Sequence, residues 1–297
     1  MRRGTSWPKA AAVALVAGGC ASSSGGAHPP PTDAGSDATT DAGAPACTAQ
    51  GPCAVTAGTG TECVSTVSAK LTMSTGGPAA SVPVFVCGTN VCSAAASTAA
   101  DGTVLLPVCL DVAKPAIKIF DDPTWVPFAS LLLGAGPSFD VSLVVTPLPA
   151  GGSILAPGTN RFGGVTLVVS GSVTFDLEHT DPAAQNFKAA PFPLGSFAGS
   201  GLDPTTTGVA NAWGLAPLNT KLAPPAQLTL PNSASWSAGA AVDVLLDGTD
   251  TTTATPPAPW GTWGVIGSAH VSSDGSTITT DVGSGLPEVA PVAFRLH

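Results

Sequence analysis

Between Cys63 and Leu133 the apolar residues fall in short, β-branched runs: Val82-Pro83-Val84-Phe85-Val86, Thr103-Val104-Leu105-Leu106, Ile117-Lys118-Ile119-Phe120 and the stretch from Val126 to Leu133. Gly, Pro, Asn and Asp separate them, which is the pattern of strands divided by turns. Asp101-Gly102, set between Ala100 and Thr103, predicts a tight hairpin with positive φ values. After a break at Gly134-Ala135-Gly136-Pro137 a second series begins with Phe139 to Thr146, followed by Gly164 to Val169 and Val173-Thr174-Phe175. It resumes with Gln227 to Leu230, Val242 to Leu246, Trp263 to Val271 and Thr277 to Thr280, the last two joined by the hairpin signal Ser273-Asp274-Gly275-Ser276. One segment departs from this period. Asp181 is suited to cap a helix, Pro182 to open it, and AAQNFKAA to continue it until Pro191 ends it, so a short helix is expected there. Residues 192–224, rich in Gly, Pro and Thr, read as a long surface loop. The expected fold is all-β, with a β-sandwich domain over residues 47–136 and a second β-sandwich domain, carrying the one short helix, over residues 137–297.

Composition agrees with strands and excludes helical bundles: 44% of the 297 residues are apolar, only 10% are charged, and there are 35 Gly and 29 Pro. The first residues change the picture. Arg2, Arg3 and Lys9 precede an apolar stretch from Ala10 to Gly19 that ends at Cys20, too short to span a bilayer and built like a secretory signal. Ala17-Gly18-Gly19-Cys20 resembles a bacterial lipobox, which implies removal of residues 1–19 and acylation of Cys20 as the new first residue. Several acyl chains would give a durable anchor. The same segment also fits an ordinary secretory signal cut near Gly19 or Ala21. Ala21 is compatible with sorting to the outer membrane, so the expected address is the cell envelope, with secretion as the alternative.

Residues 20–46 contain no Val, Ile, Leu or aromatic side chain and form an expected disordered linker, stiffened at Pro29-Pro30-Pro31. Asp33, Asp37 and Asp41 recur at every fourth position there, a spacing too sparse for a calcium loop. Removal of the leader would leave 7 basic residues against 19 acidic ones, a net charge of −12. A chain so charged repels nucleic acid, and the expected partners are a lipid membrane through acylated Cys20 and a surface glycan or protein.

Beyond Cys20 the chain has Cys47, Cys53, Cys63, Cys87, Cys92 and Cys109, an even number, as expected of disulfides formed in an oxidising compartment. Six cysteines allow 15 connectivities. Cys87-Gly-Thr-Asn-Val-Cys92 sets two of them around a Gly/Asn turn and favours that pair. The 188 residues after Cys109 contain none, which supports two domains of different construction.

The segment VPVFVCGTNVCSAAASTAADGTVLLPV, with Thr98 and Asp101-Gly102 before an apolar strand, resembles the carboxypeptidase-regulatory-like, transthyretin-type β-sandwich of bacterial cell surfaces. Leu228 to Leu286, with Pro231-Asn232, Trp260-Gly261-Thr262-Trp263 and Gly283-Ser284-Gly285-Leu286, resembles a β-rich module of large bacterial surface proteins and of myxobacterial lipoproteins. The first resemblance implies a spacer or binding platform and no catalysis, and the second implies architecture alone.

No nucleophile elbow, metalloprotease helix, phosphate-cradling loop or EF-hand pattern is present, and no cofactor or metal is expected. The ligand-rich stretch Asp176-Leu177-Glu178-His179-Thr180-Asp181 does not converge if it is a strand, because alternation sends Glu178 and His179 to opposite faces. Asp121-Asp122 and the trio Asp243, Asp247 and Asp250 read as turn and surface carboxylates, with calcium or acid/base work as the rival. His270 reads as a strand residue of no special role. Trp260 and Trp263 offer a candidate shelf for stacking sugar rings, against the plainer reading that they fill the core, as Trp125 and Trp236 are expected to do. The chain is therefore expected to be a non-catalytic cell-envelope lipoprotein, a structural or adhesion module. The alternatives are a carbohydrate-binding module using Trp260 and Trp263, and a hydrolase with an unfamiliar carboxylate site, for instance Asp121 or Asp122 beside Glu178.

Overall fold

The computed structural model describes residues 46–48, 54–56, 58–119, 122–132, 137–176, 179, 181–194, 207–250 and 256–297. The expected leader and linker, Cys20, Cys53, Asp121 and Glu178 lie outside the described residues. Strands β1 (Ala46–Thr48) and β2 (Ala54–Thr56) pair with each other. The next seven are β3 (Glu62–Met73), β4 (Pro83–Cys87), β5 (Ala96–Ser97), β6 (Thr103–Val112), β7 (Ala116–Ile119), β8 (Phe128–Leu131) and β9 (Ser138–Val145). They make two sheets, ordered β6-β3-β9 and β5-β4-β7-β8. Alternation decides their faces: Val104, Leu106 and Val108 of β6 point inward while Leu105 stays 66% exposed. Cys87 and Cys92 form a disulfide across the Gly/Asn turn, and Cys63 and Cys109 are also disulfide-bonded.

The remaining strands are β10 (Ser153–Ile154), β11 (Gly158–Phe162), β12 (Val165–Val169), β13 (Ser172–Thr174), β14 (Asn186–Pro191), β15 (Val209–Ala216), β16 (Thr220–Pro231), β17 (Ala241–Asp247), β18 (Trp263–Val271), β19 (Thr277–Thr280), β20 (Leu286–Val289) and β21 (Val292–Leu296). They form one nearly closed, barrel-like sheet of 12 strands, and the described elements are strands throughout, so the fold is all-β. Its interior is lined by side chains such as Leu167, Phe187, Leu215, Leu228 and Phe294. Each such side chain contributes about 1.5–3 kcal/mol by leaving water.

The two series of strands share a second core. β9, which follows the Gly/Pro break, pairs in parallel with β3 from Thr66–Ser138 to Met73–Val145. Phe192, Val209, Leu245 and Ala293 of the large sheet and its flank pack in the same cluster as Val64, Ile117 and Phe128. Phe192 meets Phe128 edge-on with centroids 6.4 Å apart. Gly214 of β15 permits this approach, because a Cβ there would lie 2.1 Å from Val126.

Three local expectations are corrected. The helix after Asp181 does not form. Asp181 accepts a bond from Ala183 N–H as a cap should, and one turn follows, but Asn186 enters β14, where Phe187 and Ala189 reach the core and Lys188 to Pro191 pair with β15. Ladder pairing outweighs the modest helix propensity of this segment. The long loop over 192–224 is also overturned, since β15 and the first residues of β16 lie inside it and are largely buried. Small residues at Ala210, Ala212, Gly214 and Ala216 hide a strand largely buried on both faces. Finally, Asp101-Gly102 forms a tight turn, closed by Ala99 N–H to Thr103 C=O, yet the strands it joins pair in different sheets.

Candidate functional site

The sequence places few charges in the large sheet, and the fold gathers several of them in one buried place. Lys221, near the start of β16, stands directly opposite Glu288 of β20. The chain leaves β17 through Asp247-Gly248-Thr249-Asp250, and Gly248 lies so close to Pro259 that a Cβ would come within 1.9 Å of its carbonyl oxygen. This tight passage turns Asp247 and Asp250 inward. Lys221 Nζ donates to both Asp250 Oδ2 and Glu288 Oε2. The two carboxylate side chains are 0% and 1% exposed, while the lysine is 36% exposed, so the amine reaches in from the surface side. Thr249 Oγ1 donates to Asn219 Oδ1 at 2.7 Å and braces the same passage.

Asp247 looks the other way, toward the four-stranded sheet. Its Oδ2 accepts the Ala129 N–H of β8 at 3.0 Å. Lys118 of β7, itself buried, interacts electrostatically with Asp247 and lies 5.8 Å from the centre of the Trp260 ring. The Trp260 indole N–H donates to Lys114 C=O at 2.9 Å, and Leu131 N–H donates to Gly261 C=O at 3.2 Å. The junction between the small sheets and the large one is therefore polar at its centre.

Burial sets the protonation. Desolvation pushes Asp247 up to about 8, against the pull of Ala129 N–H and Lys118. Desolvation also raises Glu288, partly offset by Lys221. Burial opposes the charge of Lys221, but its bonds to Asp250 and Glu288 outweigh it and hold the amine above its ordinary range. With Asp247 pushed up to about 8, the remaining groups of the cluster set Lys118 and Lys221 against Asp250 and Glu288. Asp247 Oδ1, Glu288 Oε1 and Thr220 Oγ1 have no hydrogen-bond partner among the described residues. No set of three or more His, Cys, Asp or Glu that could hold a metal ion occurs among the described residues.

Of the candidate sugar shelf, the structure places Trp260 in the core and Trp263 half-buried. Trp260 is 5% exposed with its N–H satisfied, and Trp263 is half-buried against Phe192, with ring centroids 6.3 Å apart, so the pair presents no open double face. Together with Phe128 and Phe192, these large side chains fill the junction. Trp125 is likewise in the core, and Trp236 packs half-buried against the interior of the large sheet.

The other candidates disperse. Asp243 is held below the ordinary carboxylate range by His297 and Arg295 at the sheet surface, away from Asp247. His270 pairs with Asp281, which, despite the upward push of burial, is held low by bonds from Ser268 and His270. Asp122 caps its own turn at Thr124. His179 is buried, with Nε2 donating to Leu218 C=O at 2.6 Å. A shallow hollow of about 10 Å³ between Asp122, His179 and Lys188 adjoins an open groove of about 370 Å³ lined by Thr124, Gly151, Gly152 and Lys188. Burial lowers the Lys188 amine, which donates to Pro123 C=O at 2.6 Å.

From the sequence, Asp247 and Asp250 stand out only as members of a calcium trio with Asp243, and Lys221, Glu288 and Lys118 do not stand out at all. A signal exists: in a chain only 10% charged, Thr-Lys-Leu and Leu-Pro-Glu-Val put lone charges inside apolar strands. Set against known proteins, the chain matches no family model, no curated protein and no solved structure.

Proposed function

We propose that the chain is a lipid-anchored protein of the cell envelope whose all-β part serves as a non-catalytic structural or adhesion module. The observation that carries this reading is the order of features along the chain: a basic start, an apolar stretch ending at Cys20, a polar spacer, and then a disulfide-bonded unit of strands. Disulfides persist where the compartment is oxidising, which supports export. Acyl chains on Cys20 fix one end at a membrane, and residues 21–46 set the strands at a distance from it.

Cell fractionation tests the reading. Wild-type protein is expected in the membrane fraction and Cys20→Ala in the soluble one. Equal membrane association of both, or wild-type protein recovered unprocessed and with free thiols from the cytoplasm, counts against it. The partner is expected to be a surface glycan or protein bound on an exposed face, since Trp260 is committed to the interior.

A further inference from the structure

We propose that Lys221 and Asp250 become joined by an amide bond between Nζ and Cγ, formed within the folded chain with Glu288 carrying the proton. The geometry for it is in place. One amine contacts two carboxylates; both are buried, one in register opposite the lysine and the other delivered by the passage after β17.

The step balances without any other reactant. Glu288 takes one proton from the Lys221 ammonium, and the freed lone pair attacks Asp250 Cγ. A C–O bond of the resulting tetrahedral centre breaks, and the oxygen leaves as water with the proton returned by Glu288 and a second proton from the nitrogen. One N–H stays on the new amide, and Glu288 ends as it began. An ammonium and a carboxylate have become an amide and one water, with nothing oxidised or reduced.

Two arguments favour the step. Groups held in contact react with effective concentrations of about 10⁵–10⁸ M, which lowers the barrier to attack within the folded chain. The ion pair also carries the cost of two desolvated charges, which a neutral amide removes. The other groups around the site are consistent with proton transfer through Glu288. Asp250 raises the Glu288 carboxyl and Lys118 lowers it, Asp247 feels its charge, and its Oε1 has no hydrogen-bond partner among the described residues. The bond would tie β16 to the segment leaving β17, closing a separation of 29 residues in the part of the chain that has no cysteine. It needs only the folded strands, so it stands or falls apart from the anchoring of Cys20.

The test is mass spectrometry of the purified full-length protein, reduced, alkylated and unfolded. The wild type is expected to be lighter than its sequence by one water, with the loss mapped to a branched peptide that joins Lys221 to Asp250. Glu288→Gln and Lys221→Arg are expected to show the full mass. Asp250→Asn is expected to lose ammonia in place of water if Lys221 attacks. An unmodified wild-type mass overturns the proposal, as does a water loss that maps to a succinimide at Asp247-Gly248 or to any other position. The wild-type spectrum alone decides between these outcomes, so the test holds even where a variant fails to fold.

Discussion

The cysteine-bearing strands up to Cys109 and the cysteine-free strands after them meet the same demand by different chemistry. In the first region Cys87–Cys92, with Cys63 and Cys109 also in disulfides, ties strands whose sheets hold only three and four members. In the second, a sheet of 12 strands closes nearly on itself, and its non-local fixing point is a buried group of charges. Ionic side chains are thus tolerated in an apolar interior when each finds a partner and one acid gives up its charge. Sulfur bonds respond to reductant and the charged group responds to pH, so the two regions are separable by conditions.

Changing pH should separate them most strongly. Asp247 has a folded-state pKa of about 8 against an ordinary 3.8, so the unfolded chain releases its proton first as pH rises. The penalty for burying its charge is therefore absent below about pH 4, and stability falls between about pH 4 and pH 8 by up to about 1.4 kcal/mol per pH unit. Asp247→Asn keeps an acceptor for Ala129 N–H and should flatten that decline in denaturant titrations at pH 5 and pH 8. A wild type more stable at pH 8 than at pH 5, with the variant unchanged, would remove the pH-sensitive side of the contrast. The exposed hairpin carboxylate of Asp274 has the opposite sign, since bonds from Ser272 and Ser276 lower it to about 2, so its contribution is lost only as pH falls toward that value.

Next comes Lys221→Ala, which leaves Asp250 and Glu288 buried without the amine that contacts both, whether as an ion pair or as the amide. Removing one partner from a buried charge group costs about 3 kcal/mol, read as a lower urea midpoint with an unchanged slope. Opening the other region should cost less: Cys87→Ser with Cys92→Ser removes a closed loop of only a few residues, worth about 2 kcal/mol by loop entropy. Reductant should reproduce that loss, and more if the Cys63 and Cys109 bonds open with it. Trp260→Phe is the mildest change. It leaves Lys114 C=O without its donor and weakens the face that Lys118 approaches, for about 1 kcal/mol by thermal unfolding.

Strand positions are legible wherever period-two alternation meets a turn residue. Val242 to Leu246 falls in β17, Thr277 to Thr280 is β19, and Asp274-Gly275 is the hairpin tip between β18 and β19. Local pattern fails where tertiary pairing outweighs it. Lys188 to Ala190 suit a helix but pair with β15, and β15 itself, built largely from Ala, Gly and Trp, offers no alternation because both its faces are largely covered. Partner choice between strands is invisible for the same reason: nothing in Ser138 to Val145 announces that its neighbour is β3, about 70 residues earlier. The charged group is the least legible feature. Its members come from β7, β16, β17 and β20, and only folding reveals that the lone Lys221 and the lone Glu288 share a register.

Whether sulfur fixes one region and buried charge the other can be read from amide hydrogen exchange with and without reductant, on wild type and Glu288→Gln. Reduction is expected to speed exchange first in β3, β4, β6 and β7 while β16, β17 and β20 keep their protection, and Glu288→Gln is expected to reverse that order. Uniform acceleration of every strand in both conditions would contradict it.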